Sequence, residues 1–407
     1  MSGVSANLNF QLAAVDAYHL VVPGQTYWQS FQSENRTASE RFELKPGWRS
    51  VYATRVETAL VKVTLADGSI GWGEATEPIL PELIVRLVAQ LLVPMAAGTE
   101  FAHPSELWDF GYDMNRGRGH LSGYHLLAIG ALDVAVWDAL ARRHGKPVSA
   151  LLGDAPVKQL PVYLSGIRRA TIEDRIALMR QMTGEGLRGA KVFLTKDVDA
   201  GLREIDALRS GVPGDWQLMV DTLWSFDSIE DAGRLKEELG ARGVGWLECP
   251  LVPEDLTGHV RLAAMPGAPI ALGEHFLSHY QVGQWLEQGA VNILQPDICR
   301  TGFSDGLRQR ERAQAAGVAV TTHMGSGSPI VQAVALQFGA IANGDLLAEN
   351  QFDLSGVLPE VFDCGSRYRG GVIALSERPG LGVEVDEEAL AKHCVQIERW
   401  RGASTRM

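Results

Sequence analysis

The sequence has few cysteines, little positive charge and no long apolar run. Its four cysteines, among 407 residues, show no C-x-x-C spacing and are too sparse for a disulfide scaffold. Lysine and arginine number 37 against 49 acidic residues, and the net charge of −12 argues against a general nucleic-acid binder, which needs a basic face. No stretch reaches the roughly 18 apolar residues of a membrane span. The first residues also lack a basic start followed by an apolar run, so we expect a cytoplasmic protein.

The first third of the chain contains both strand and helix patterns. Residues 52–75 alternate apolar and polar side chains on both sides of the turn Asp67-Gly68, which predicts an antiparallel hairpin. Segments 82–97 and 123–143 show the periodicity of amphipathic or buried helices. We therefore expect an α+β unit in this part of the chain.

From about residue 157 onward, short apolar runs alternate with helical stretches such as 172–184, 228–241 and 304–316. This alternation predicts parallel strands with crossover helices, and eight such strands close naturally into a (β/α)8 barrel of the TIM type. A doubly wound open sheet would carry a glycine-rich phosphate loop after its first strand, and SGIRRAT at 165–171 is not one. The eight runs are LPVYLS (160–165), RGAKVFL (188–194), WQLMVD (216–221), GWLE (245–248), PIALGE (269–274), VNILQ (291–295), VAVTT (318–322) and DLLAE (345–349).

Three acidic residues end three consecutive apolar runs: Asp221, Glu248 and Glu274. In a barrel the C-terminal ends of the strands surround the active-site mouth, so neighbouring strands deliver neighbouring side chains. A single acid at such a place is usually solvated or caps a helix, but three adjacent carboxylates repel one another unless a cation lies between them. Because all-oxygen ligation suits a hard ion, the pattern predicts one Mg2+ per chain.

Four more polar residues lie at the ends of other predicted strands: Lys191, Asp297, His323 and Glu349. Asp297 and His323 follow adjacent strands, so their side chains can form a hydrogen bond. A carboxylate partner fixes the tautomer of an imidazole and raises its basicity, as a general base requires. Lys191 lies on an apolar strand, which predicts that it faces the cavity rather than solvent.

Several motifs in order along the chain resemble those of the enolase superfamily, and within it the mandelate racemase-like subgroup. The resemblance implies that Asp221, Glu248 and Glu274 bind Mg2+, and that Asp297 and His323 form a His-Asp dyad. It implies that Glu349 hydrogen-bonds the carboxylate of the substrate. The motifs are GWGE (71–74), AIGALDVAVWDALARRHGKPVSALLG (128–153), VDTLWSF (220–226), WLECPL (246–251), GEH (273–275), QPDICRTGF (295–303) and THMGSG (322–327).

The resemblance also implies a domain organisation. It predicts an N-terminal α+β capping domain over residues 1–135, a catalytic (β/α)8 barrel over 136–370, and a C-terminal segment, 371–407, that packs on the capping domain. A symmetric homo-oligomer is the expected assembly.

The second barrel strand departs from the family pattern. The family has Lys-x-Lys there, and its second lysine is a base on the face opposite the histidine, whereas this chain reads Lys191-Val192-Phe193. A racemase or epimerase needs one base on each face, but elimination of water needs only one. We therefore expect an acid-sugar dehydratase that forms a 2-keto-3-deoxy acid. The alternatives are an epimerase or a sugar-lactone cycloisomerase that recruits another group, such as Tyr163 or Ser165, and a non-catalytic ligand-binding barrel.

The expected substrate is a small anionic sugar acid, so cations must guide it into an acidic protein. Segment 24–49 corresponds by position to the family's mobile lid and holds Arg36, Arg41, Lys45 and Arg49 with Tyr27, Trp28 and Trp48. Aromatic side chains exclude water and an arginine can bind a distal carboxylate. The residues predicted to bind substrate are Tyr27, Trp28, Arg49, Arg300 and Thr301.

Overall fold

A four-stranded antiparallel sheet with helices packed on it forms the cap, the name used here for the first third of the chain and its last strand. The computed structural model describes residues 7–22, 36–37, 39–45, 50–352 and 356–402. The cap elements are β1 Leu12–Val21, β2 Arg36–Thr37, β3 Phe42–Lys45, β4 Ser50–Ala53, β5 Glu57–Leu65, β6 Ile70–Ala75, α1 Glu82–Leu87, a π-helical turn Val88–Leu92, α2 Val93–Ala96, α3 Pro104–Arg116, α4 Tyr124–Arg143, the short connecting helix α5 Ser149–Leu152 and, at the other end of the chain, β19 Cys394–Arg401.

The strand order in the cap sheet is β19-β1-β5-β6, and a separate three-stranded sheet is formed by β2, β3 and β4. Strands β5 and β6 are the predicted antiparallel hairpin. Glycine is required on β6 because the strand lies directly against α4. A Cβ on Gly71 would approach the carbonyl oxygen of Ala135 to 2.2 Å, and one on Gly73 would approach that of Ala131 to 2.2 Å. The glycines of the GWG motif therefore allow the sheet and α4 to pack closely.

Helix α4 is long and apolar enough, by length and composition, to cross a membrane, a feature that the sequence interpretation did not predict. The apolar window is 94% buried inside the protein, as in a core helix. The domain boundary predicted between residues 135 and 136 falls inside this helix. Because residues on both sides of that point pack into the core of the cap, the chain does not leave the cap there.

Eight parallel strands form the barrel, as the sequence predicts. Seven neighbouring pairs join them in the order β14-β7-β8-β9-β10-β11-β12-β13. Between β13 and β14, Thr321 Oγ1 donates a hydrogen bond of 3.0 Å to the carbonyl of Leu347. The strands are β7 Gln159–Ser165, β8 Gly189–Phe193, β9 Gln217–Asp221, β10 Leu247–Glu248, β11 Ile270–Leu272, β12 Ile293–Leu294, β13 Ala319–Val320 and β14 Ala348–Asn350.

Each crossover helix begins at a serine, threonine or aspartate whose side chain accepts a hydrogen bond from a backbone N–H of the first turn. Such caps satisfy N–H groups that a helix leaves without an internal partner. The helices, each with its cap, are α6 Ile172–Gly184 (Thr171), α7 Val198–Gly211 (Asp197), α8 Ile229–Ala241 (Ser228), α9 Leu256–Ala264 (Asp255), α10 His279–Glu287 (Ser278), α11 Ile298–Ala315 (Asp297) and α12 Pro329–Ala342 (Ser328).

The last part of the chain contacts both domains. A hairpin of residues 367–374 pairs with β7 of the barrel, whereas β19 pairs with β1 of the cap. The boundary predicted between residues 370 and 371 falls in the turn of that hairpin. The second strand of the hairpin pairs with β7, so the hairpin extends the barrel sheet on both sides of the predicted boundary. The elements are β15 Phe362–Cys364, β16 Arg367–Arg369, β17 Val372–Ala374, β18 Val383–Val385 and α13 Glu387–Ala391.

Candidate active site

A cavity of about 440 Å3 lies at the C-terminal ends of the barrel strands, under the cap. Residues 50–52, 76–79 and 124 of the cap form part of its wall. The candidate active site is therefore lined by residues of both domains. The predicted site residues that line the cavity are Asp221, Glu274, Lys191, His323, Glu349 and Arg300.

Two of the three predicted metal ligands lie side by side on paired strands. Asp221 ends β9, Glu248 ends β10, and the strand register places them directly opposite each other. These two and Cys249 each offer one ligand atom within 4.8 Å of the others. Burial raises the pKa of Cys249 well above its ordinary value, so its thiol stays protonated. The available donors in this group are therefore carboxylate oxygens.

The third predicted ligand, Glu274, follows β11 and contacts Cys249, but its oxygens are not among the ligand atoms that lie within 4.8 Å of one another in this group. Its Oε1 accepts a hydrogen bond of 3.0 Å from Trp224 Nε1 and lies 3.8 Å from Cys249 Sγ. Its Oε2 lies 3.1 Å from His323 Nε2. Glu274 thus contacts Cys249, the residue after Glu248, with one oxygen and the imidazole of His323 with the other.

The electrostatics of the three acids fit a hard divalent cation. Burial, followed by the charge of Glu248, raises the pKa of Asp221 well above its ordinary value. In Glu274, burial opposes ionisation, but the hydrogen bond and charge of His323 lower the pKa of the carboxyl. A dication among oxygen donors would relieve the repulsion that Asp221 experiences, and oxygen donors are those that Mg2+ prefers.

Lys191 lies at the centre of the carboxylates. Its Nζ is 2.8 Å from Glu248 Oε1, 2.9 Å from Glu349 Oε1 and 3.6 Å from Asp221 Oδ2. Burial alone would lower the pKa of Lys191, but these carboxylates raise it well above the ordinary value. The carboxylates therefore favour the charged ammonium form of Lys191.

His323 and Asp297 form the predicted pair. His323 Nδ1 lies 2.9 Å from Asp297 Oδ2, so Nε2 is the ring atom that faces Glu274 and the cavity. Burial opposes the charged ring, but Glu349, Asp297 and Glu274 raise the pKa of His323 well above its ordinary value. These carboxylates favour the imidazolium, in which Nε2 already carries a proton. A cation that bound Glu274 would oppose this protonated form, and the neutral ring could then accept a proton at Nε2 while Asp297 stabilises it.

Glu349 is held on three sides. It accepts hydrogen bonds from Ser165 Oγ (2.5 Å) and the backbone N–H of Met324 (2.8 Å), besides its contact with Lys191. Tyr163, the other residue considered as a replacement base, is fully buried and does not line the cavity. Burial raises the pKa of Tyr163 well above its ordinary value, so its hydroxyl remains protonated.

The side of the cavity near β7 and β8 carries Phe193, which the sequence predicts, and Arg168, which it missed. Gly166, with φ +75°, lies beneath both: a Cβ there would be 2.5 Å from the Phe193 ring and 3.3 Å from Arg168 Nε. Arg168 Nη2 donates to Gln351 Oε1 at 3.0 Å. The signal available was position alone, since Arg168 follows the first barrel strand as Asp297 follows the sixth.

The predicted substrate-binding residues have different outcomes. Tyr27, Trp28 and Arg49 lie outside the described residues. Arg300 lines the cavity, and its guanidinium donates to the backbone carbonyls of Glu274 and Thr76. Thr301 does not line the described part of the cavity, because its hydroxyl turns back into α11 and donates to the carbonyl of Asp297 at 3.2 Å.

Two cations of the predicted lid, Arg41 and Lys45, form ion pairs and are not among the residues that line the described cavity. Arg41 forms ion pairs with Glu57 (2.8 Å) and Glu82 (2.9 Å), and Lys45 is buried against Glu43 at 2.7 Å. These contacts attach the lid segment to the cap. The interpretation of Arg41 and Lys45 as substrate-steering cations is therefore corrected: their charges are compensated by acids of the cap and lid.

The chain matches two family models. Residues 34–153 match the N-terminal domain of mandelate racemase and muconate lactonizing enzymes, and residues 174–389 match the enolase C-terminal domain-like family. The first match covers most of the cap, and the second covers most of the barrel.

Similar proteins span nearly the same length. D-galactarolactone cycloisomerase of Agrobacterium fabrum (strain C58) is 30% identical over 351 residues, 82% of this chain and 90% of that protein. D-galactonate dehydratase of Variovorax paradoxus (strain S110) is 28% identical over 369 residues, 84% of this chain and 92% of that protein. The crystal structure of L-talarate dehydratase from Polaromonas sp. JS666, complexed with Mg and L-glucarate, has a TM-score of 0.80 at 21% identity, covers 97% of this chain and 100% of that one, and shows the common fold alone. From the two matched domains and the barrel-mouth acids, we conclude that the chain belongs to the enolase superfamily, in its mandelate racemase-like branch.

Proposed function

We propose that this protein is a Mg2+-dependent acid-sugar dehydratase, a hydro-lyase that converts an aldonate or aldarate into a 2-keto-3-deoxy acid. The observation that carries the proposal is a proton relay on one side only. His323 and Asp297 form a close pair, whereas the family's second base position is occupied by the ring of Phe193. A phenyl ring cannot accept a proton, which disfavours chemistry with a base on each face. Elimination requires one base and an acid for the leaving group.

Asp221, Glu248 and Glu274 would hold one Mg2+ per chain. When bound, the ion supplies positive charge that stabilises a carboxylate as the neighbouring carbon loses its proton. Lys191 provides a second positive charge at the same end of the cavity, where it contacts Glu248 and Glu349. Glu349, which Ser165 and Lys191 hold in position, would donate a hydrogen bond to the substrate carboxylate only in its protonated form, because an ionised carboxylate can only accept.

His323 can perform both proton transfers. Its Nε2 takes the α-proton, and the electron pair of that C–H bond forms a carbon–carbon double bond as the β-hydroxyl leaves. The imidazolium gives the same proton to the departing hydroxyl, so water is released and the resulting enol becomes the keto acid. Asp297 holds Nδ1 at 2.9 Å throughout, which keeps Nε2 directed toward the substrate. One histidine serving both steps predicts elimination on a single face.

A sugar-lactone cycloisomerase is the second candidate, and the 30% identity to D-galactarolactone cycloisomerase favours it. An epimerase needs a group opposite His323, and neither residue considered for it is suited. Tyr163 does not line the cavity, and the Ser165 hydroxyl donates a hydrogen bond to Glu349. A non-catalytic barrel would have no use for the buried Lys191. The cytoplasmic location and the homo-oligomeric state stay predictions.

The proposal is tested with a panel of aldonates, aldarates and sugar lactones in the presence of Mg2+, with keto acids trapped by semicarbazide. We expect wild-type protein to produce a 2-keto-3-deoxy acid from at least one of them. His323→Asn removes both proton transfers, so kcat should fall by about 10^3-fold on the range known for general acid–base groups. His120→Asn, at an exposed position of the cap, is the matched control and should keep wild-type kcat.

Reactions in D2O separate the candidates. A dehydratase gives a keto acid, an epimerase incorporates deuterium at the α-carbon without losing water, and a cycloisomerase opens the lactone ring. Wild-type turnover by His323→Asn would remove the base assignment, and no turnover of any compound by the wild type would remove the dehydratase proposal.

A further inference from the structure

The cap strand β6 ends against the catalytic dyad of the barrel. Thr76 is the first residue after β6, is 2% exposed and lines the cavity. Its Oγ1 donates a hydrogen bond of 3.1 Å to Oδ1 of Asp297, the partner of His323. The carboxylate that orients the proposed base is therefore itself contacted by a residue of the other domain.

Asp297 accepts three hydrogen bonds, which together fix its orientation. The backbone N–H of Cys299 and the hydroxyl of Thr76 bond to Oδ1, and His323 Nδ1 bonds to Oδ2. The Cys299 bond is the helix cap of α11 and comes from the same chain segment as Asp297. Thr76 and His323 contact the carboxylate from other parts of the chain, and Thr76 is the contact that comes from the cap. It restricts a rotation of the Asp297 carboxylate that the helix cap alone would allow.

The position of Thr76 is itself held by barrel residues. Its carbonyl accepts from Arg300 Nε at 3.2 Å, and Arg300 Nη1 donates to the carbonyl of Glu274 at 3.0 Å. Gly325, two residues after His323, allows the close approach, because a Cβ there would lie 2.5 Å from the Thr76 methyl group. Thr76 is thus packed between the segments that carry the base, its carboxylate and the third metal ligand.

A second contact of β6 anchors the His323 loop. Glu74 accepts hydrogen bonds from the backbone N–H of Ser328 (2.8 Å) and from its hydroxyl (2.5 Å), and also from Thr58 of the cap (2.7 Å). Ser328 caps α12, five residues after His323. The end of β6 therefore contacts the segment of each dyad member, Asp297 through Thr76 and His323 through Glu74.

We propose that Thr76 is a positioning residue for the His323–Asp297 dyad, so that the base is fully oriented only when the cap is docked on the barrel. The inference rests on the proposed function in one respect, the role of His323 as the base. Removal of the outer-shell partners of metal-ligating histidines typically costs about 10- to 100-fold in metal affinity or activity, and we take that range as the expected size of the Thr76 effect.

Thr76→Val tests the proposal, because valine keeps the shape of threonine and removes only the hydroxyl. With the sugar acid that the wild type converts, we expect kcat to fall about 10- to 100-fold while KM stays within about 3-fold. Thr76→Ser keeps the hydroxyl and should retain kcat within about 3-fold, on the same reasoning. Thr99→Val, at an exposed threonine of the cap, is the matched control and should behave as wild type.

A second measurement does not depend on turnover. In protein labelled with 15N-histidine and saturated with Mg2+, the Nδ1–H resonance of His323 is identified by its loss in His323→Asn. Thr76→Val should shift or broaden this resonance, and Thr76→Ser should restore it. Wild-type kcat in Thr76→Val, or equal losses in the valine and serine variants, would overturn the positioning role. If no sugar acid is converted but the resonance responds as expected, the proposed function fails and the positioning role stands.

Discussion

The cap and the barrel each contain a group of acidic side chains next to a histidine. In the cap, His19, Glu57 and Glu82 offer ligand atoms within 4.8 Å of one another, the same spacing that Asp221 and Glu248 show in the barrel. By distance alone, both groups could hold a metal ion. They differ in what the protein places beside them.

The cap group is filled by side-chain cations. Arg41 bonds to Glu57 at 2.8 Å and to Glu82 at 2.9 Å, and Arg55 bonds to Glu57 at 2.7 Å, so the two carboxylates face two guanidinium groups. His19 adds a contact of 2.7 Å with Glu57. The negative charge of this group is compensated by the chain itself.

The barrel group keeps a surplus of negative charge. Lys191 is shared by Asp221, Glu248 and Glu349, and Glu274 has His323 as its close ionisable partner. One lysine cannot neutralise three carboxylates, and their mutual repulsion favours a bound dication. The two groups show that a cluster of acids predicts a metal site only when the neighbouring lysine and arginine side chains do not neutralise its negative charge.

Removing one acid from each group tests which of the two binds Mg2+. We expect Mg2+ to stabilise the wild-type protein by about 2.7 kcal/mol at 100 times its Kd, because it binds the folded state. Glu248→Gln should abolish this stabilisation and lower turnover by about 10^3-fold, the equivalent of several kcal/mol of transition-state charge stabilisation. The measurements are thermal unfolding with and without Mg2+, and initial rates.

Glu82→Gln in the cap is the matched control. It should leave the Mg2+ effect on unfolding unchanged, because the cap group is neutralised by arginine. A Mg2+ response that disappears in Glu82→Gln and persists in Glu248→Gln would exchange the roles of the two groups.

The barrel acids could be predicted from sequence because their positions follow from local pattern. A strand end in a barrel faces the mouth whatever the rest of the fold does, so Asp221 and Glu248 needed only the apolar runs before them. Thr76 could not be found in this way, since its contact with Asp297 depends on how the cap docks. The ion pairs of Arg41 and Arg55 with the acids of the cap could not be predicted for the same reason. The sequence therefore suggested that Arg41 steers the substrate.

In the fold, too, the features that follow from local sequence pattern were predicted and those that depend on tertiary packing were not. The strand and helix order of the barrel follows from hydrophobic periodicity, and the predicted helix 304–316 corresponds to the part of α11 that follows a kink at Gly302. The turn before the kink begins after Asp297, whose side chain accepts a hydrogen bond from Cys299 N–H, and Gly302, with a φ of 78°, separates this turn from the rest of α11. Periodicity alone does not register a helix turn that a capping carboxylate and tertiary packing stabilise.

The cap group can be tested for its expected structural role. Arg41→Met removes two hydrogen-bonded ion pairs from Glu57 and Glu82, and Glu57 is fully buried. Because Arg41 is one-third exposed and Arg55 still contacts Glu57, we expect a loss of only about 1–2 kcal/mol in the free energy of unfolding. Urea unfolding measures this loss, and the increment from Mg2+ should be the same as in the wild type.

Arg234→Met is the control for that loss. Its ion pair with Asp199 has both side chains more than half exposed, so its removal should change stability by less than about 0.5 kcal/mol. Equal losses in the two variants would mean that burial of Glu57 adds nothing to the cap ion pairs.

The smallest expected effect concerns acid pH. Burial opposes ionisation of Glu57, but hydrogen bonds from His19, Arg55 and Arg41 lower its pKa to about 2 from the ordinary 4.5. A depressed carboxyl pKa stabilises the fold above pH 4.5, and this contribution is lost as the pH falls from 4.5 toward 2. Glu57→Gln should be less stable at neutral pH but lose less stability across that window, as urea unfolding between pH 5 and pH 2.5 would show. Because the other acidic residues are the same in both proteins, their titration cancels in the comparison, and the difference in slope reports Glu57. Parallel slopes in the two proteins would mean that the cap arginines do not hold Glu57 in its charged form.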